Sequence, residues 1–151
     1  RITMSDITGS LKGSALPTAQ NGLALGVALK RALMGGGLAV AGNLLVYAIA
    51  RFAASQALLM PPTPVVPESA PLNVIAVVLA SLIPALVAGV VYWLLSKFTR
   101  NGRRSFLILS VFIFLLSLAG PLTLPVTFAT QLTLNLMHIV AGAAIVGALT
   151  R

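Results

Sequence analysis

Residues 72–122, LNVIAVVLASLIPALVAGVVYWLLSKFTRNGRRSFLILSVFIFLLSLAGPL, decide the fold of this chain. Two long apolar runs without an acidic residue flank a short link that is rich in lysine and arginine. A helix of about 20 mostly apolar residues crosses the hydrocarbon core of a bilayer. We therefore interpret residues 72–96 and 105–122 as two membrane-spanning helices that are joined by a basic loop at the membrane surface.

The composition of the whole chain agrees with this interpretation. Of its 151 residues, 58% are hydrophobic and 8% are charged, and its mean hydropathy is +1.03. A soluble domain carries roughly 25% charged residues, so the composition predicts an integral membrane protein. The chain has no cysteine, which excludes disulfides, thiolate catalysis, iron–sulfur clusters and cysteine-ligated zinc.

Two further apolar stretches, residues 32–54 and 128–149, are long enough to span a bilayer. The sequence thus predicts an all-α integral membrane four-helix bundle over residues 30–151, preceded by a polar N-terminal tail, residues 1–29. This tail lacks the charged-then-apolar order of a cleavable signal peptide. Because the first residue is Arg1, we expect either a start that is missing or one at Met4.

The distribution of basic residues predicts the orientation. With four spans, the link between spans two and three, the start of span one and the C-terminus all lie on one side, and this side holds Lys97, Arg100, Arg103, Arg104, Lys30, Arg31 and Arg151. Basic residues gather on the cytoplasmic side of membranes. We therefore predict that both termini are cytoplasmic, in the plasma membrane of a bacterium. The net charge of +8 then follows from topology, and no nucleic-acid partner is expected.

Spans one and four each carry a stripe of polar residues. Asn43, Tyr47 and Arg51 lie four residues apart, and in span four the stripe consists of Gln131, Asn135 and His138. Residues three or four apart share one helical face, and polar groups in hydrocarbon need a protein partner. With a rise of about 1.5 Å per residue, the two stripes fall at three matching depths. The sequence therefore predicts an interhelical hydrogen-bond ladder of three rungs: Asn43–His138, Tyr47–Asn135 and Arg51–Gln131.

His138 also permits a second interpretation. A lone imidazole near the middle of a membrane is able to hold one axial position of a chlorophyll-type pigment or a haem. No other cofactor is expected, because the single histidine and the two acids, Asp6 and Glu68, which lie outside the spans, cannot supply the ligands of a metal site. The same shortage of acid–base groups predicts that the protein is not an enzyme.

Several motifs resemble those of one family. AGNLLVYAIAR in span one, VVLASLIPALVAG in span two, the arginine-rich link with the apolar run after it, and ATQLTLNLMHIVAGAAIV in span four are similar to small four-span bacterial membrane proteins of unknown function, found mainly in actinobacteria. The resemblance covers roughly residues 30–148 and implies the four-span fold and the pairing of motifs in spans one and four. It implies no activity. Small multidrug exporters have a similar length but carry a glutamate in the first span, which this chain lacks.

Three functions are open at this point. The first is a non-catalytic accessory or structural subunit that packs against lipid and against other membrane subunits or copies of itself. The second is an oligomeric transporter or pore for a small molecule or lipid, with the region around Asn43 and His138 lining a cavity. The third is pigment or haem binding through His138.

Overall fold

The computed structural model describes residues 23–62 and 68–151. Its main elements are four α-helices, each long and apolar enough to cross a membrane: α1 (Leu25–Ala48), α2 (Val74–Phe98), α3 (Gly102–Thr123) and α4 (Phe128–Leu149). The last turn of the first span is a π-helix, Ile49–Ala53, which continues α1. The predicted all-α four-span fold is therefore confirmed.

The loop between α1 and α2 contains a short hairpin-like pairing. Strand β1 (Leu59–Met60) pairs antiparallel with β2 (Ala70–Pro71). Two residues that are not glycine, Ser55 and Leu58, adopt positive φ angles of 50° and 48° ahead of β1. The side chain of Leu58 is buried, and its carbonyl accepts a hydrogen bond from the backbone N–H of Leu72, which ties the two sides of the loop together.

Side-chain caps explain where three of the helices begin. The side-chain oxygen of Asn73 accepts a hydrogen bond from the backbone N–H of Ala76 at the start of α2. Asn101 and Thr127 accept in the same way at the starts of α3 and α4. Asparagine and threonine are favoured at this position because their oxygens satisfy N–H groups that have no partner inside the helix.

The first helix begins earlier than predicted. It starts at Leu25 rather than near residue 32, so the end of the predicted tail is helical, and residues 1–22 of that tail lie outside the described part of the chain. The extra turns form because they are packed: Ala28 and Ala32 are fully buried. A Cβ built on Gly89 of α2 would lie 2.6 Å from the Cβ of Ala32.

Helix α1 lies between α2 and α4 and packs along both of them. Three successive glycines show how it does so. A Cβ built on Gly35 would lie 3.0 Å from the Cα of Ile145 in α4, and one built on Gly36 would lie 3.0 Å from the Cβ of Ala85 in α2. On Gly37 a Cβ would meet no described atom within 4 Å. Each residue advances about 100° around a helix, so the three glycines face α4, α2 and the outside.

Helix α3 is held more loosely against α2 and α4. Of its 22 residues, all described, two are buried, Phe106 and Pro121. Near its N-terminus the ring of Phe106 lies 4.9 Å from the ring of Tyr92, centroid to centroid. Further along, a Cβ built on Gly142 of α4 would lie 2.9 Å from the ring of Phe114. Between these two contacts a cavity opens.

Candidate functional site

One of the buried polar side chains inside the bundle is on α1. Asn43 is 5% exposed and lies in the middle of the membrane-spanning region. Its Nδ2 donates a hydrogen bond of 3.0 Å to Oγ of Ser81 on α2, and the Ser81 hydroxyl donates to the carbonyl of Val77 at 2.8 Å. Oδ1 of Asn43 is buried with no hydrogen-bond partner among the described residues. Asn43 therefore faces α2 and retains one unused acceptor.

His138 is the eleventh of the 22 residues of α4, about 15 Å from either end of the helix. Its Nδ1 lies 2.8 Å from the carbonyl oxygen of Leu134, one turn earlier. A carbonyl oxygen only accepts hydrogen bonds, so Nδ1 carries the hydrogen, and in a neutral imidazole Nε2 is then an acceptor. Nε2 has no hydrogen-bond partner in the described part of the chain.

The other four residues of the predicted ladder bond to nearby backbone. The Tyr47 hydroxyl donates to the carbonyl of Leu72 at 3.0 Å, and Arg51 donates to the carbonyl of Gln56 at 3.2 Å. Nε2 of Gln131 donates to the carbonyls of Leu122 and Leu124. Asn135 donates to the carbonyl of Gln131 on its own helix.

The predicted rungs are therefore wrong as hydrogen bonds. Within residues 23–62 and 68–151 no hydrogen bond joins Asn43 to His138, Tyr47 to Asn135 or Arg51 to Gln131. For Asn135 and His138 the physical reason is that a polar side chain in a helix satisfies itself at lower entropic cost on a carbonyl one turn away than on a distant helix. Tyr47, Arg51 and Gln131 lie near the ends of their helices and reach carbonyls in the adjoining connections. The face of α1 that carries Asn43 is turned toward α2, so Asn43 bonds there.

The depth match behind the ladder is nevertheless present. Spans one and four are adjacent and antiparallel: Nη1 of Arg31 donates to the carbonyl of Leu149, Gly35 lies against Ile145, and Gly42 lies against Val140. This register places Asn43 and His138 at one level of the bundle, and both line a cavity of about 120 Å³ between α1, α2 and α4. The two helices thus have the predicted register but present different faces.

Two hydrogen-bonding residues were missed by the sequence analysis. One is Ser81, the partner of Asn43. It is a hydroxyl among apolar residues in the first half of span two, and this isolated polar group was the sequence feature that could have predicted a hydrogen bond there. The other is Gln56, whose Oε1 accepts a hydrogen bond of 3.1 Å from the hydroxyl of Thr133. Gln56 lies beyond the end of the first span, so its sequence position gives no sign that it reaches α4.

The basic residues collect at one end of the bundle. Because α1 begins where α2 and α4 end, Lys30 and Arg31 lie at the same end as the link that holds Lys97, Arg100, Arg103 and Arg104. Lys97 lies over the ring of Trp93, with Nζ 5.4 Å from the ring centroid, and Arg103 and Arg104 are exposed in the first turn of α3. This arrangement gives one strongly basic end to a bundle that is otherwise apolar.

A second, larger cavity lies under α3. It has a volume of about 390 Å³ and is bounded by α2, α3 and α4. His138 lines both this cavity and the smaller one, so the imidazole forms part of the wall between them. Among the described residues, no group of three or more His, Asp or Glu side chains is placed to hold a metal ion.

Comparisons with known proteins identify one family. The model of one family, described as a family of unknown function (DUF6069), matches residues 23–151. The matched region begins two residues before α1 and contains all four helices. Neither the comparison with curated proteins nor the comparison with solved structures gives a match. The matched region covers most of the chain, and the protein therefore belongs to this family of unknown function, DUF6069.

Proposed function

We propose that the protein is a non-catalytic membrane subunit that associates with another membrane-spanning helix through the outer face of α1. The observation that carries this proposal is the pair Gly37 and Ala41. Both are exposed on the face of α1 that is turned away from α2 and α4, and a Cβ on Gly37 would meet no described atom within 4 Å.

The chemistry of this outer face favours a helix over lipid as its neighbour. Two small residues four apart let two helix backbones approach closely, which is the main source of helix–helix affinity in a membrane. Large apolar side chains border the pair on α1: Leu33, Met34, Leu38 and Leu45 are 54–62% exposed. A groove of small residues between large ones is the shape that a second helix fills.

The same helix shows what such a groove does when it is filled. Gly35 brings α1 close to the backbone of α4, and Gly36 brings it close to the side chains of Ala85 and Leu82 on α2. Gly37 and Ala41 offer a third face of comparable composition to a partner, which is either another protein or a second copy of this chain.

The experiment compares two glycine variants in native mass spectrometry from mild detergent. Gly37→Leu fills the groove on α1, and Gly120→Leu is the matched control, because a Cβ on Gly120 also meets no described atom within 4 Å. We expect the wild type and Gly120→Leu to carry a partner or a second copy, and Gly37→Leu to lose it. A wild-type protein that is monomeric and free of partners in both detergent and native membranes would contradict the proposal.

We further propose that the protein resides in the cytoplasmic membrane with its basic end toward the cytoplasm. The tendency of basic residues to lie on the cytoplasmic side of membranes supports this orientation. The chain has no cysteine, so single cysteines report cleanly. A cysteine at Asn101, at the basic end, is expected to be shielded from an impermeant maleimide in intact cells, whereas one at Ser69 is expected to react. Labelling of both from outside would contradict this orientation.

A transporter for a small molecule is the second candidate function, and the cavity of about 120 Å³ lined by Asn43 and His138 is the observation in its favour. Buried polar groups that line a cavity inside a membrane are typical of solute pathways. Solute flux into liposomes that contain the purified protein alone, lost in His138→Ala, would establish this candidate and overturn the subunit proposal.

A further inference from the structure

The cavity under α3 is lined by a polar atom, Nε2 of His138, that has no hydrogen-bond partner among the described residues. It is a half-open space bounded mainly by apolar side chains from α2, α3 and α4, and its polar side chains are Ser110, Ser117 and His138. Its volume of about 390 Å³ lies within the range of roughly 300–1,000 Å³ that is typical of small-molecule sites. The cavity is at mid-membrane, where a ligand arrives from the hydrocarbon phase.

The polar atoms of this cavity differ in what they are able to bind. The hydroxyl of Ser117 donates to the carbonyl of Phe114 at 2.7 Å, so its hydrogen is already used. His138 holds its Nδ1 hydrogen on the carbonyl of Leu134, which leaves Nε2 with a lone pair and no partner among the described residues. Nε2 is therefore an acceptor that requires a donor, and Ser110, which also lines the cavity, has a hydroxyl that both donates and accepts.

We propose that this cavity binds an apolar, membrane-soluble molecule that carries a hydroxyl group, and that the hydroxyl donates its hydrogen bond to Nε2 of His138. The apolar body of the ligand fills the space under α3, and its hydroxyl satisfies an imidazole nitrogen that has no other partner. A ketone, ester or ether of the same shape lacks the hydrogen and leaves Nε2 unsatisfied. The site thus selects alcohols and phenols over their acceptor-only analogues.

The geometry of α4 fixes this selectivity. The bond from Nδ1 to the carbonyl of Leu134 sets both the tautomer and the direction of the ring, in the way that an outer partner orients a histidine ligand. The ring does not need to reorganise when a hydroxyl arrives. One hydrogen bond of this kind contributes about three- to tenfold in affinity, and this factor is the expected preference for an alcohol over its ether.

The first experiment is photolabelling of the purified protein in lipid nanodiscs with a diazirine-bearing long-chain alcohol and with its methyl ether. The alcohol is expected to label residues that line the cavity about three- to tenfold more strongly than the ether does. Equal labelling by the two probes in the wild type would overturn the proposal, because it would show partition into an apolar space without recognition of the hydroxyl.

Variants at His138 test the role of Nε2. His138→Gln keeps an acceptor near the position of Nε2 and is expected to retain the preference for the alcohol. His138→Phe keeps the volume but removes the acceptor, and it is expected to label equally with both probes. Asn135→Leu is the matched control, because it removes a polar side chain from the same helix that does not line the cavity, and it should leave the preference unchanged.

The second experiment needs no variant. His138 is the only histidine in the chain, so labelling with ¹⁵N-histidine gives one imidazole to observe by NMR. Without ligand, Nε2 is expected at the chemical shift of an unprotonated ring nitrogen, and the alcohol should move it upfield while the methyl ether does not. A protonated Nε2 in the free protein, or a visible absorption band that shows a metal-bearing pigment on His138, would overturn the proposal.

Discussion

Helix α1 and helix α3 cross the same membrane but are held in the bundle by different means. The inner faces of α1 consist of small residues, and six of them are buried: Ala28, Ala32, Gly35, Gly36, Ala39 and Asn43. α3 consists largely of leucine, isoleucine and phenylalanine and buries two residues. In a bilayer large apolar side chains are as well accommodated by lipid as by protein, so they drive little association, whereas small residues permit close backbone packing.

This difference explains where the cavity lies. Around α1 the remaining space is small, about 120 Å³, because its glycines let α2 and α4 approach closely. Around α3 the bulky side chains keep the helix away from its neighbours, and the space of about 390 Å³ stays open beneath it. The more hydrophobic helix is therefore the less firmly packed one, which is the reverse of the expectation for a water-soluble domain.

The largest expected effect comes from placing a larger side chain in the close contact between α1 and α4. Gly35→Leu places a side chain where the Cα of Ile145 and the carbonyl of Ala144 lie 3.0 and 3.1 Å from the new Cβ. Backbone atoms cannot give way, so we expect the free energy of unfolding to fall by more than about 3 kcal/mol. Denaturation by SDS in mixed micelles measures the change.

Gly37→Leu is the control for that prediction. It makes the same substitution two residues later on an open face, and it should leave the stability of the isolated bundle unchanged or raise it by up to about 1 kcal/mol through helix propensity. Equal losses for Gly35→Leu and Gly37→Leu would show that glycine is needed for flexibility of α1 rather than for contact.

The next effect concerns the main contact of α3. Phe106 is 2% exposed and lies against the ring of Tyr92, next to the cavity. Phe106→Ala is expected to lower the free energy of unfolding by about 3 kcal/mol, measured in the same denaturation experiment. A much smaller loss would mean that α3 is held mainly by its connections rather than by this contact.

A smaller effect is expected at the hydrogen bond between Asn43 of α1 and Ser81 of α2. Ser81→Ala removes the acceptor of the Asn43 amide hydrogen and leaves a buried donor without a partner, so the free energy of unfolding should fall by about 1 kcal/mol. A double-mutant cycle with Asn43→Leu should give a coupling of about 0.6 kcal/mol. The same cycle between Asn43→Leu and His138→Ala should give no coupling. Coupling to His138 instead of Ser81 would restore the predicted ladder.

The contrast between Ser81, the observed partner of Asn43, and His138, the predicted one, shows what the sequence was able to predict. The helix number and the antiparallel register of α1 against α4 follow from hydropathy and a constant rise per residue, and both are present. The direction of a side chain around the helix depends on which neighbours lie where, and hydropathy does not contain that information for a helix that is apolar on all sides. Asn43 was therefore predicted at the right depth but paired with α4, whereas its partner is on α2.

The start of α1 and the cavity could not be predicted for a related reason. Lys30 and Arg31 indicated a membrane boundary, whereas contacts with Gly89 extend the helix to Leu25. The cavity depends on how closely three helices approach, which no local pattern records. His138 was recognised from its chemistry alone, but its acceptor role depends on the carbonyl of Leu134, a contact visible only in the folded chain.

The smallest expected effect is on the outer surface of α3 and completes the comparison within one helix. Phe112 is 61% exposed, whereas Phe106 is 2% exposed, so Phe112→Ala removes the same ring from a position that faces lipid. Lipid surrounds this ring in the folded bundle and also after the helices separate, so little transfer energy is lost. We expect the free energy of unfolding to change by less than about 0.5 kcal/mol in the assay used for Phe106→Ala. A loss similar to that of Phe106→Ala would mean that another chain covers this face. α3 would then be the site of association, and the outer face of α1 would lose its role in the proposed assembly.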